Sequence, residues 1–140
     1  MNYFGANSFI FLIFCSIAAL AFSQTTLGPG GQLDINQSKL SPNGKFRLIL
    51  QNDGNLVIYR VQEGTYVWAA QTIGFGATRA VMQQDGQFCL YTEAGVLKWT
   101  TYTRDAGSYL SLQNDGNLAV INTNGIVVWN AFTGWGKTAI

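Results

Sequence analysis

The chain has 140 residues, 8 Lys and Arg against 7 Asp and Glu, no His, and only 11% charged residues. This balance offers no basic stripe for nucleic acid and no acidic run for a polycation. With no His the commonest general base and metal ligand are missing, which argues against an enzyme and against a metal centre.

The first element in chain order is apolar. Ser8 to Phe22 reads SFIFLIFCSIAALAF, the length of a signal-peptide core and short of the roughly 20 residues that a bilayer span needs. Ala21 and Ser23 place small residues at −3 and −1, which predicts a signal peptide over residues 1–23 with cleavage before Gln24. An N-terminal membrane anchor is the alternative, since MNYFGANS carries no Lys or Arg. No second apolar run of that length follows, so residues 24–140 are expected to be one secreted, extracellular domain without membrane insertion. Cys15 departs with the signal peptide and leaves Cys89 alone, expected as a small buried apolar residue. Asn36-Gln37-Ser38 forms an N-glycosylation sequon, meaningful if the source is a eukaryote.

The rest of the chain repeats. LQNDGNLVIYR from Leu50, MQQDGQFCLYT from Met82 and LQNDGNLAVIN from Leu112 align without gaps. Their glutamines stand 32 and then 30 residues apart, and Trp68, Trp99 and Trp129 follow them by 17, 16 and 16. Each copy holds an Asp-Gly pair between apolar runs, a hairpin signal because tight turns need residues that tolerate positive φ. A second turn ending at Gly64, Gly95 or Gly125 leads into a Trp-bearing strand. Period-two alternation puts Phe46, Leu48, Leu50, Leu56 and Ile58 on one face, and Asn55, Val57 and Tyr59 on the other. The inward pair recurs as Phe88/Leu90 and Leu118/Val120. A unit of about 30 residues cannot bury its apolar face alone, so three are expected to pack around a common centre filled by the tryptophans.

The outward face collects planar amides, a carboxylate, a phenol and one aliphatic side chain. That set suits a neutral ligand rich in hydroxyls, because every buried polar group must be paired. Glycoside hydrolysis needs two nearby carboxylates, whereas Asp53, Asp85 and Asp115 are spread one per unit.

Gln-x-Asp-x-Asn-x-Val-x-Tyr, matched in full by Gln51, Asp53, Asn55, Val57 and Tyr59, resembles the motif of the bulb-type, snowdrop-agglutinin-like mannose-binding lectins. The likeness runs from about Leu27 into the C-terminal region and includes LSPNGKFRLILQNDGNLVIY. It implies an all-β, β-prism II fold of three four-stranded antiparallel sheets around a pseudo-threefold axis. It also implies a mannose pocket per motif with no cofactor. Asp and Asn would meet the axial O2, Gln O3, Tyr O4, and Val the ring carbons. Mannose-containing glycans or glycoproteins are the implied partners.

The copies are unequal. The second carries Gln83, Asp85, Gln87, Cys89 and Tyr91, with a longer amide and less apolar contact. The third carries Gln113, Asp115, Asn117, Ala119 and Ile121, and Ile121 has no hydroxyl for O4. A lost hydrogen bond costs about 0.5–1.5 kcal/mol net, against roughly 4 kcal/mol for a millimolar site. The expectation is one competent site, one weakened and one weak or dead. Asp-Gly and Asn can also serve only to close the hairpin, which leaves the third copy open between scaffold and site. A protein-interaction or structural module on the same fold with degenerate sugar sites is the second reading of the whole chain. Relatives of this type often dimerise by exchanging C-terminal strands, so the tail WNAFTGWGKTAI suggests a homodimer.

Overall fold

The computed structural model describes residues 25–132. The expected signal peptide and the tail beyond Phe132 lie outside the described residues, so neither cleavage nor strand exchange is addressed by the fold.

Among the described residues the chain runs through β1 (Thr26–Leu27), β2 (Gln32–Asp34), β3 (Ser38–Leu40), β4 (Phe46–Leu50), β5 (Leu56–Arg60) and β6 (Tyr66–Ala69). It continues through β7 (Ala77–Met82), β8 (Phe88–Thr92), β9 (Leu97–Thr100), β10 (Tyr109–Leu112), β11 (Leu118–Ile121) and β12 (Val127–Asn130). No described helix is long and apolar enough to cross a membrane. The strands form three antiparallel sheets of four, ordered β3-β4-β5-β6, β2-β7-β8-β9 and β1-β10-β11-β12. Each repeat therefore supplies three strands of one sheet. The fourth comes from the N-terminal stretch, whose short strands visit the third, second and first sheets in turn.

Alternation places the apolar faces inward as expected. Leu48, Leu50, Leu56, Ile58, Phe88, Leu90, Leu118 and Val120 are all fully buried, each burial worth about 1.5–3 kcal/mol. Leu27 and Leu33 carry the N-terminal strands into the same core. The three indoles meet at the centre in T-shaped pairs, with centroids 6.0, 6.0 and 5.8 Å apart. That is the geometry aromatic quadrupoles favour. Trp68 is buried, while Trp99 and Trp129 pack on the core half-buried. Cys89 is buried and free, as expected.

The Asp-Gly turns are also the joints between units. A Cβ on Gly86 (φ 96°) would lie 2.3 Å from the Asp105 carbonyl oxygen, and one on Gly116 (φ 85°) 2.7 Å from the Phe46 ring. Positive φ and close approach together leave glycine as the residue that fits. The second unit thus docks on the third, and the third closes back on the first.

Candidate carbohydrate-binding site

The turn that positions the first motif is built by its own residues. The Gly54 amide donates to the Gln51 carbonyl at 2.9 Å, and the Gln51 amide donates to the Asn55 carbonyl at 2.8 Å. Asp53 Oδ1 accepts from the Asn55 amide at 2.9 Å, the side-chain bond that favours Asp in turns. Asn55 is buried, and its Oδ1 accepts from the Thr72 amide at 3.0 Å. The buried Thr72 hydroxyl donates to the Gly54 carbonyl at 2.7 Å. One end of the Asn55 amide is thereby fixed to the backbone, which aims its Nδ2 as a donor.

Gln51 Nε2 donates to the Tyr59 hydroxyl at 2.8 Å. Tyr59 accepts this bond and keeps its own proton to give away, and Gln51 keeps Oε1 as an acceptor. All five motif residues line one cleft of about 880 Å³, with Val57 almost fully covered at its wall. The cleft offers two donors (Asn55 Nδ2, Tyr59 O–H), two acceptors (Asp53 Oδ2, Gln51 Oε1) and an aliphatic wall. This is a complement for adjacent hydroxyls on a sugar ring. Among the described residues no group of three His, Cys, Asp or Glu could hold a metal ion.

In the second copy the polar groups satisfy one another. Gln83 Nε2 lies 3.1 Å from both oxygens of Asp85 and donates to them, and Gln87 Nε2 donates to Asp85 Oδ2 at 3.3 Å. The Gln87 amide adds a bond to Asp85 Oδ1 at 3.0 Å. Led by that backbone bond, these donors hold the Asp85 carboxyl below its ordinary pKa, although its partial desolvation works the other way. The Tyr91 hydroxyl donates to Gln83 Oε1, so its proton is used internally. The Thr100 hydroxyl donates to Gln87 Oε1 at 3.0 Å. Arg79 stacks 5.5 Å above the Tyr91 ring.

In the third copy Asp115 Oδ1 accepts from the Asn117 amide at 2.9 Å, and Asn117 Oδ1 accepts from the Phe132 amide at 3.2 Å. Asn117 thus braces the backbone as Asn55 does. Ile121 offers no hydroxyl to Gln113, and Ala119 is wholly buried.

Two features of the site were not read from the sequence. Thr72 stands four residues after Trp68, and Thr103 stands four after Trp99, where its hydroxyl donates to the Gly86 carbonyl. The repeat alignment carries this signal, since Thr133 keeps the same offset from Trp129. The second feature is a register shift in every unit, at Ile58/Tyr59, Leu90/Tyr91 and Val120/Ile121. Each is a bulge that turns the last motif residue relative to the strand behind it.

Three four-stranded sheets on a shared indole centre, with turn-anchored amides on their outer faces, define a lectin of the β-prism II class. No protein-family model matches the chain. The B-type lectin plumieribetin of Scorpaena plumieri is 34% identical over 108 residues, covering 75% of this chain and 92% of its own length. A mannose-specific lectin of Aloe arborescens is 32% identical over 104 residues, covering 71% of this chain and 91% of its own. The mannose-specific agglutinin of snowdrop (Galanthus nivalis) bulbs, solved with methyl-α-D-mannoside, superposes with a TM-score of 0.64 at 28% identity. That match covers 80% of this chain and 99% of the other. The chain belongs to the bulb-type, or B-type, lectin family.

Proposed function

We propose that this protein is a secreted, metal-independent lectin that binds mannose and mannose-rich glycans through the pocket of Gln51, Asp53, Asn55, Val57 and Tyr59. The observation that carries the reading is the contrast between copies. In the first, two donors and two acceptors surround a covered aliphatic wall inside an 880 Å³ cleft. In the second, the corresponding groups are spent on each other. The mannose specificity named for the Aloe and snowdrop relatives supports mannose as the ligand. The second copy is then a weakened pocket and the third a scaffold.

Such a pocket works by exchanging water for sugar hydroxyls one for one. The net gain per hydrogen bond is small, and affinity depends on few groups. The test is titration calorimetry of the chain from Gln24 with methyl α-mannoside and methyl α-glucoside, with and without a chelator. Saturable binding of the mannoside alone, unchanged by the chelator, is expected. Absence of binding, or binding that Gln51→Ala and Tyr59→Phe leave untouched, sinks the assignment and leaves an interaction module on a lectin fold.

A further inference from the structure

Among the asparagines of the chain, Asn36 alone is followed two positions on by Ser or Thr. Asn36 and Gln37 join β2 to β3 in a tight turn. The Gln37 amide donates to the Asp34 carbonyl at 3.0 Å, and the Asp34 amide donates to Gln37 Oε1 at 2.9 Å. Asn36 takes the third position of this turn at φ 67°, a left-handed conformation that asparagine tolerates better than most side chains. Its backbone amide donates to the Leu50 carbonyl at 2.7 Å. Its side-chain amide is exposed and makes no hydrogen bond among the described residues. The Ser38 hydroxyl is exposed and unbonded in the same way, and β3 is an edge strand of its sheet. A sugar chain is bulky and hydrated, so the fold admits one only where the carrier side chain faces open solvent. This turn meets that condition.

Its position bears on the first pocket. Leu50, which accepts from the Asn36 amide, directly precedes Gln51, and the Gln51 side chain lines the motif cleft. The oligosaccharide transferred to a sequon has a branched core of mannose, so a glycan at Asn36 is a ligand of the class proposed above. We propose that Asn36 is an N-glycosylation site whose glycan, tethered at the rim of the first pocket, competes for that pocket in cis. Magnitudes favour cis over exchange between copies. A short tether holds its ligand at an effective concentration of about a millimolar. A single shallow sugar site has a Kd of the same order, roughly a millimolar. A partner copy at micromolar concentration offers about a thousandfold less glycan in trans. The pocket is then about half filled by its own glycan, which weakens binding of a free mannoside about twofold. The inference rests on the secreted mannose-lectin reading above and adds a modification that tunes its site.

Peptide mass spectrometry of the full chain, expressed with its own N-terminus in a secreting eukaryotic cell line, tests the acceptor. Asn36 is expected to carry an oligosaccharide, and Ser38→Ala, which leaves Asn36 in its turn, is expected to lose it. A chain that stays in the cell, or is secreted with Asn36 bare, overturns the proposal. Titration with methyl α-mannoside then compares the glycosylated chain, the same chain freed of its glycan by a peptide N-glycosidase, and Ser38→Ala. The two forms without glycan are expected to bind alike and about twofold tighter than the glycosylated one. Their unfolding midpoints are expected to show that both remain folded. Equal affinity in all three forms overturns competition in cis and leaves the mannose pocket standing. If none of the three binds, the pocket itself falls and the competition with it, while the mass spectrum still decides the acceptor.

Discussion

Thr72 shows how one buried residue braces both a turn and the candidate site that the turn carries. It satisfies the Gly54 carbonyl, while its backbone amide fixes the Asn55 side chain that faces the cleft. Thr72→Val keeps the shape and leaves that buried carbonyl unpaired, a loss of about 1–3 kcal/mol. Urea unfolding is expected to show that loss, and mannoside titration a weaker site, because the turn carrying Asp53 and Asn55 loosens. Full stability in this variant would mean that the bond is worth nothing. Cys89 gives a second prediction at this scale. Burial pushes its thiol pKa up, and desolvation does the same to Tyr91 beside it. The unfolded chain therefore releases these protons at lower pH than the folded one. Their contribution to stability is complete below the ordinary thiol value and is lost as pH rises from there through the raised folded values. Unfolding midpoints measured from neutral to alkaline pH are expected to fall accordingly, and Cys89→Val, which restores the first copy's residue, to flatten part of that fall.

The hairpins were legible because their information is local. Asp-Gly between alternating apolar runs marks both the turn and the inward face, and Leu56, Ile58, Phe88, Leu90, Leu118 and Val120 all point into the core. The recurrent Trp was legible for the same reason. β1 to β3 were not read from the residues themselves, since strands of two or three residues carry too little period to detect. They exist because the edges of β10, β7 and β4 need partners for their backbone groups. The bulges escaped notice because one extra residue per unit leaves the repeat spacing intact. The polar network of the second copy was equally invisible, as it depends on side-chain rotamers and is completed by Thr100, a residue outside the motif. At this scale the glycines can be ranked. Gly86→Ala meets rigid backbone at Asp105, Gly116→Ala meets a movable Phe46 ring, and Gly125→Ala meets open space at φ 78°. All three bear the positive-φ cost of about 1–2 kcal/mol. Thermal unfolding is expected to order the losses Gly86 > Gly116 > Gly125, and the reverse order would deny that these turns are the joints between units.

Among the described residues one scaffold is repeated three times, with a cleft along the motif of its first copy and a closed polar network on that of its second. Its core and joints depend on inward residues that all copies share, so outer faces can diverge without unfolding the prism. That separation lets one unit keep a pocket while another turns the same residue types into a closed network. If closure rather than loss of groups silences the second copy, reopening it needs few changes. Gln87→Asn shortens the amide to the length that lets Asn55 reach the backbone of Thr72, and Thr100→Ala removes the hydroxyl that bridges to it. The double variant frees Asp85 Oδ2 from Gln87, one of its two donors in the second pocket. Calorimetry is expected to give one mannoside per chain for the wild type and close to two for Gln87→Asn/Thr100→Ala. Ile121→Tyr alone is expected to leave the third unit weak, because Ala119 still offers the sugar ring less apolar contact than Val57. A stoichiometry of one in the double variant, with its fold intact, would place the deficit of the second copy in Cys89 or in the Arg79-stacked Tyr91 instead of in the closed network.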